Sequence, residues 1–185
     1  MDITAAREEL RSLLRERSVR HGTFKLSSGA MSDFYVDCRQ VTMDPRGMHL
    51  IAALMLDLTA DLTGARAVGG LTMGADPIAG AIAYASATTD RPLAMFSVRK
   101  EPKGHGSGRQ VEGPFPAEDG APVIVVEDTM TTGASTRRAI EAIERDTKAT
   151  VARVLVIVDR LEGGADGLRA DGYDVHALFT RRDFD

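Results

Sequence analysis

A single cysteine, Cys38, stands among the 185 residues, so neither an internal disulfide framework nor a multi-cysteine zinc site can form. No run reaches the length that a membrane crossing needs, and residues 1–10 are charged rather than signal-like, so a cytoplasmic location is expected. A basic surplus is also missing. Lys and Arg number 23 against 27 Asp and Glu, and the net charge of −4 argues against a general nucleic-acid binder. No Ser–His–acid spacing or cysteine–histidine cluster suggests a covalent nucleophile or a metal centre. His21, His49 and His176 stand singly and read as structural or surface residues, and Cys38 as a small buried one. Repeats, low-complexity tracts and linkers are absent. Hydrophobic residues at 43% and charged residues at 27% are the proportions of a globular chain with a sizeable core.

What the chain does contain is alternation. Ile3, Ala6, Leu10, Leu13 and Leu14 form one helical stripe, with Arg and Glu opposite. Residues 21–41 read as short strands and turns, in which Phe34, Val36 and Cys38 alternate. Asp44-Pro45 opens a second amphipathic helix. From residue 67 onward, strands are predicted at 67–71, 93–98, 123–126, 151–158 and 173–179. Asp76-Pro77 caps a helix to about residue 87, and another helix follows Ala134. Strands separated by helices imply parallel crossovers. The expected fold is α/β, a doubly wound, mainly parallel sheet flanked by helices. It is read as one domain, with residues 1–45 as a small N-terminal hood beside a core of 46–185.

One run carries most of the chemistry: Val123-Ile124-Val125-Val126-Glu127-Asp128-Thr129-Met130-Thr131-Thr132-Gly133-Ala134-Ser135. Four β-branched apolar residues make a strand covered on both faces. Two acids stand at its carboxyl end, where open α/β sheets bind ligands. Carboxylates accept hydrogen bonds from vicinal hydroxyls, which suits a ribose diol. Residues 129–135 offer backbone N–H groups and hydroxyls to an anion, and the next helix points its positive end there. No Lys follows the glycine, so this is not a Walker A loop. The bland reading is a strand–turn–helix with solvating acids; two acids followed by Thr-Met-Thr-Thr-Gly-Ala-Ser are more specific than that.

A second run, Arg99-Lys100-Glu101-Pro102-Lys103-Gly104-His105-Gly106-Ser107-Gly108-Arg109, combines cations with alternating glycines. It lacks apolar residues to pack, so it is expected to move. Alone it would read as a solvated loop; beside an anion site its cations can neutralise a leaving group.

The strand, acidic pair and Thr-rich loop resemble the signature of the type I phosphoribosyltransferases. Residues 98–106 are similar to the catalytic loop of orotate phosphoribosyltransferases. Ser32-Asp33-Phe34-Tyr35-Val36-Asp37-Cys38-Arg39 is similar to that family's orotate-contacting segment, and Val158-Asp159-Arg160 matches the strand end whose arginine holds the substrate carboxylate. The resemblance covers essentially the whole chain. It implies transfer of a phosphoribosyl group from phosphoribosyl pyrophosphate to orotate, giving orotidine 5′-monophosphate and pyrophosphate.

The resemblance also implies roles for single residues. Lys103, His105 and Asp128 would be catalytic. Glu127 and Asp128 would hold the ribose hydroxyls. Thr129, Met130, Thr131, Thr132, Gly133, Ala134 and Ser135 would wrap the 5′-phosphate, with Thr131 also reaching orotate. Phe34 and Tyr35 would meet the flat ring, and Arg160 the carboxylate. Arg99 and Lys100 would act across a homodimer interface. Mg²⁺ would be held mainly through substrate and water, with no direct protein ligand assigned. No nucleic-acid or membrane partner is implied.

Two positions depart from the pattern. Ser27 replaces a lysine found in several members, and Met73-Gly74 replaces a Tyr-Lys pair, so the 71–75 loop would offer pyrophosphate only backbone N–H groups. Two other readings share the fold. A purine phosphoribosyltransferase would not need Arg160. A ligand-sensing regulator would normally append a helix-turn-helix, and residues 1–20 hold only one helix.

Overall fold

A computed structural model describes residues 1–25, 31–102, 108–116 and 118–185. Helix α1 (Ile3–Arg17) is capped by Asp2, whose carboxylate accepts from the N–H groups of Thr4 and Ala5 at 2.9 and 3.3 Å. Its stripe of Ala6, Leu10 and Leu14 is buried. The chain then enters the antiparallel pair β1 (Val19–Lys25) and β2 (Met31–Val36), without the second helix of a helix-turn-helix. Alternation in β2 buries Phe34 and Val36. Cys38 lies past the strand, fully buried at the start of the short helix α2 (Arg39–Thr42). Asp44 caps α3 (Pro45–Asp57), accepting from the N–H groups of Arg46 and Gly47 at 2.9 and 3.1 Å. Pro45 stands at the position where it costs no hydrogen bond.

The remaining elements alternate as β3 (Ala67–Leu71), α4 (Ala75–Ser86), β4 (Ala94–Val98), β5 (Val111–Glu112), β6 (Pro122–Met130), α5 (Ala134–Asp146), β7 (Thr150–Asp159), α6 (Gly164–Ala170) and β8 (Val175–Thr180). They form a six-stranded sheet of order β5-β4-β3-β6-β7-β8. Every pairing is parallel except that of β4 with the short β5. Both faces are covered. Ile124 and Val126 pack into the cluster of α1, α3 and α4, and Val123 and Val125 into that of α5 and α6.

Two local expectations need correction. Asp76 does not cap α4, whose N-terminus at Gly74 has no side-chain cap; its carboxylate accepts from Ser97 Oγ at 2.7 Å instead. Strand β6 does not stop at Val126. Glu127, Thr129 and Met130 continue the ladder against Val156, Val158 and Asp159 of β7, because backbone pairing proceeds regardless of side-chain polarity. The acidic pair is therefore part of the sheet.

Arg153 ties the amino end of the sheet to its surroundings. The pairing of β6 with β7 shifts between Val123 and Ile124, which brings Arg153 opposite Ile124. Its buried guanidinium donates to both oxygens of Asp61 (2.8 and 3.0 Å), to Asp174 (2.6 Å) and to the Leu58 carbonyl. Hydrogen bonding to Arg153 holds the Asp61 carboxyl below its ordinary range. Desolvation pushes Asp174 upward, but Arg153 and His176 more than offset it and leave that carboxyl lowered too. Both acids reach water, so replacing Arg153 does not strand a buried charge. Arg153→Met should cost about 2 kcal/mol in urea unfolding at neutral pH, the range for charge-assisted bonds. Depressed carboxyl pKa values give stability that is lost as pH falls through them. The gap between variant and wild type should therefore shrink on acidification, and a gap that stays constant from pH 7 down to about pH 3 would rule out the ion network as its source.

Candidate active site

The strand order reverses beside β3, with β4 on one side and β6 on the other. Open sheets part their connections at such a point, leaving a crevice at the carboxyl ends of the strands. A cleft of about 320 Å³ lies there, between residues 71–74 after β3, Glu127, Asp128 and Thr129 of β6, and Tyr35, Asp37, Arg39 and Lys100. A recess of about 40 Å³ shares Glu127, Thr129 and Ser135 with it and is formed by residues 129–136.

The recess is a backbone construction. Gly133, at φ +77°, takes the left-handed conformation that starts α5, and no side chain caps that helix. The N–H of Gly164 donates to the Thr131 carbonyl at 2.9 Å. A Cβ on Gly164 would stand 2.4 Å from that oxygen and 2.6 Å from the nitrogen of Gly133, so only glycine lets α6 close against the turn. Thr131, Thr132, Gly133, Ala134 and Ser135 are thereby brought together around an uncapped helix N-terminus, a ready anion site. Met130 also borders the recess, although its side chain is buried and its carbonyl accepts from Arg160 N at 2.9 Å.

Beside the recess lies the acidic pair. Glu127 is only 6% exposed, and Thr136 Oγ1 donates to it at 3.3 Å. Desolvation, then the neighbouring Asp128 charge, pushes Glu127 up to about 8. Desolvation raises Asp128 as well, opposed by the Thr129 N–H that donates to its Oδ1 at 2.7 Å. Burial and mutual repulsion thus both favour the protonated form of the pair. Cys38 packs beneath, accepting from Thr129 Oγ1 at 3.4 Å and donating to the Asp128 carbonyl at 3.6 Å. Desolvation, then the Asp128 charge, raises its thiol far above the ordinary range, which makes it unreactive. Across the cleft, a Cβ on Gly74 would lie 2.9 Å from Asp128 Oδ1. Among the described residues no group of three or more His, Cys, Asp and Glu could hold a metal ion.

The remaining expected residues divide. Tyr35 is exposed and faces the cleft, but the ring of Phe34 is fully buried, packed edge-on to His21, so it has no face free to stack on a ligand. Arg160 is buried behind that segment. Its Nη2 donates to Ser32 Oγ (2.9 Å) and the Phe34 carbonyl (3.1 Å) and pairs with Glu162 (2.8 Å), while Nε has no partner among the described residues. Lys100 lines this chain's own cleft, whereas Arg99 turns to Glu112 at 3.6 Å. Gln110 fixes both backbones: its amide donates to the carbonyls of Arg99 (2.7 Å) and Lys100 (3.3 Å), and Arg145 and Asp146 of α5 hold it in turn. Lys103, His105 and the expected loop motion around them lie outside the described residues.

Asp37 and Arg39 stand in the 32–39 segment quoted above but received no individual role from the sequence. Their signal there is an Asp-x-Arg spacing just past a strand, and only the fold brings it to the cleft. Asp37 accepts from Arg39 Nε at 2.8 Å and Nη2 at 3.2 Å.

No protein-family model matches the chain. Comparison with known proteins nevertheless gives near full-length relatives. The orotate phosphoribosyltransferase of Sorangium cellulosum is 45% identical over 178 residues, 96% of this chain and 92% of its own. A crystal structure of the Mycobacterium tuberculosis orotate phosphoribosyltransferase with Fe(III) dicitrate superposes with a TM-score of 0.82 at 42% identity, covering 97% of this chain and 98% of that one. The same enzyme in complex with 5-phospho-alpha-D-ribosyl 1-diphosphate matches with a TM-score of 0.79 at 38% identity over the same shares. The fold is that of the type I phosphoribosyltransferases. The chain belongs to the orotate phosphoribosyltransferase family.

The raised Glu127 gives a stability prediction with a definite sign. Below the ordinary glutamate range both folded and unfolded chains hold the proton. As pH rises toward 8 the unfolded chain releases it while the folded chain retains it, so the native state loses stability. Glu127→Gln removes this liability. In thermal melts without ligand the variant should gain on wild type steadily from about pH 5 to about pH 8. A melting difference that does not change with pH would show that Glu127 ionises normally.

Proposed function

We propose that the protein transfers the 5-phosphoribosyl group of phosphoribosyl pyrophosphate to orotate, giving orotidine 5′-monophosphate and pyrophosphate in pyrimidine synthesis in the cytoplasm. The observation that carries this is the Glu127–Asp128 pair, one acid buried and the other half-buried at the cleft, set directly beside an uncapped helix N-terminus. Such a pair can hold two vicinal hydroxyls while the turn holds a phosphate on the same sugar. The M. tuberculosis relative, with phosphoribosyl pyrophosphate bound, supports the ligand.

In this reading Thr129–Ser135 backbone and hydroxyl groups bind the 5′-phosphate, and Glu127 and Asp128 the ribose hydroxyls. Arg160 takes the orotate carboxylate in exchange for Glu162, a carboxylate already seated on its fork. Tyr35 borders the base. The two carboxyl groups at the cleft supply hard oxygen donors but too few to cage a cation, which suits Mg²⁺ held mainly by substrate and water. When bound, it would offset diphosphate charge. The bond from the anomeric carbon to the diphosphate oxygen breaks as a ring nitrogen of orotate forms the new bond on the opposite face, and the proton that nitrogen carried passes to the departing diphosphate or to water. No covalent enzyme intermediate is needed, so catalysis rests on positioning and on cations at the leaving group. Residues 1–45 serve as a hood over the site of the 46–185 core. Lys100 serves its own chain's cleft, while Arg99, Lys103 and His105 serve the neighbouring subunit of a homodimer.

A spectrophotometric assay of orotate consumption with phosphoribosyl pyrophosphate and Mg²⁺ tests the reaction, with adenine, guanine and hypoxanthine as control acceptors. Turnover of a purine but not orotate would overturn it. Arg160→Ala should lower kcat/KM for orotate at least about a hundredfold, as for a lost buried charge-assisted pair, and leave phosphoribosyl pyrophosphate binding near wild type. The shared site is tested by mixing inactive Lys103→Ala and Asp128→Asn chains. Subunit exchange then makes one site with both lesions and one with neither, so activity should partly return. Continued inactivity after verified exchange would confine the loop to its own chain.

A further inference from the structure

Acidic side chains outnumber basic ones in the cleft among the described residues. Asp37, Glu127 and Asp128 line it, and Arg39 and Lys100 are its cations among the described residues. Residues 71–74 contribute Leu, Thr, Met and Gly, none of them charged. A Cβ at residue 74 would stand 2.9 Å from Asp128 Oδ1, so a longer side chain there would have to shift that carboxylate. A diphosphate entering between this wall and the acids needs directed donors from elsewhere.

Arg39 meets that need. Its Nε and Nη2 are fixed on Asp37, and among the described residues no acceptor is bonded to Nη1. Asp37 is itself held by the Arg39 N–H (3.2 Å) and by Gln40 Nε2 (3.4 Å). The side chain is half exposed yet already oriented, so little rotamer freedom is left to lose on binding. A surface pair with no other task would carry little energy and would not be expected to border a ligand cleft. Resting on the phosphoribosyltransferase reading above, we propose that Arg39 contacts the diphosphate of the ligand and that Asp37 is the positioning residue that orients it.

The test is calorimetry of inorganic pyrophosphate with Mg²⁺, alongside steady-state kinetics varying phosphoribosyl pyrophosphate and orotate separately. Arg39→Met should weaken pyrophosphate binding and raise the KM for phosphoribosyl pyrophosphate about tenfold, the effect of one charge-assisted hydrogen bond. The KM for orotate should change less than about twofold. Arg39→Lys keeps the charge and the start of α2 but loses the fork, so it should fall between and serves if the Met variant does not fold. Asp37→Asn should weaken pyrophosphate binding in the wild-type background and have no further effect in the Arg39→Met background. A folded Arg39→Met that binds pyrophosphate as wild type does overturns the Arg39 assignment alone. Equal, additive losses from Asp37→Asn in both backgrounds overturn the positioning role. A wild-type protein that binds no pyrophosphate and consumes no orotate overturns the phosphoribosyltransferase reading and this proposal with it.

Discussion

Two adjacent carboxyl groups, Glu127 buried and Asp128 half-buried, stand at the end of β6 with no cation in direct contact among the described residues. Burying such groups is unfavourable, and much of the neighbouring structure answers to it. Thr136 and the Thr129 N–H supply donors, Cys38 fills the space below without adding a competing charge, and Gly74 leaves the Asp128 carboxylate its room. What remains uncompensated pushes both carboxyl groups toward their neutral forms. A ligand bearing hydroxyls and its own cation would meet the rest, so the unliganded site is held in a state that binding relieves.

Much of this was legible in the sequence. The stripe of α1, the Asp44-Pro45 cap of α3 and the strand–helix alternation from β3 onward follow from local chemistry, and the structure bears them out. The acidic pair and Thr-rich turn could be recognised because all their parts lie within thirteen consecutive residues. Where local signals misled, tertiary partners decided the outcome. Asp76 had the right neighbours for a cap, but Ser97 across the sheet offered a better-placed hydroxyl. Val126 ended the apolar run, but β7 extended far enough to carry the ladder on to Met130.

Arg39 and Phe34 were not legible for a different reason. The alternation of Phe34, Val36 and Cys38 puts these three on one face, but which face meets the cleft depends on how the β1–β2 pair lies over the main sheet, and periodicity does not report that. Adjacent aromatics at 34 and 35 face opposite ways by simple strand alternation, one into the core and one toward the cleft. Which of them meets the cleft is set by packing against Arg160 and His21.

The Gln110 clamp has an implication for how such a protein can vary. The chain leaves the sheet edge at Arg99–Lys100 and returns at Gln110, and one side-chain amide bonds the departing backbone while α5 holds the returning one. Exit and re-entry are thus spaced by the scaffold and not by what connects them. Insertions, deletions or wholesale exchange between these two points can alter the chemistry presented to a ligand without a compensating change in the sheet. The edge works as a socket, in which reactivity can diversify on an unchanged frame.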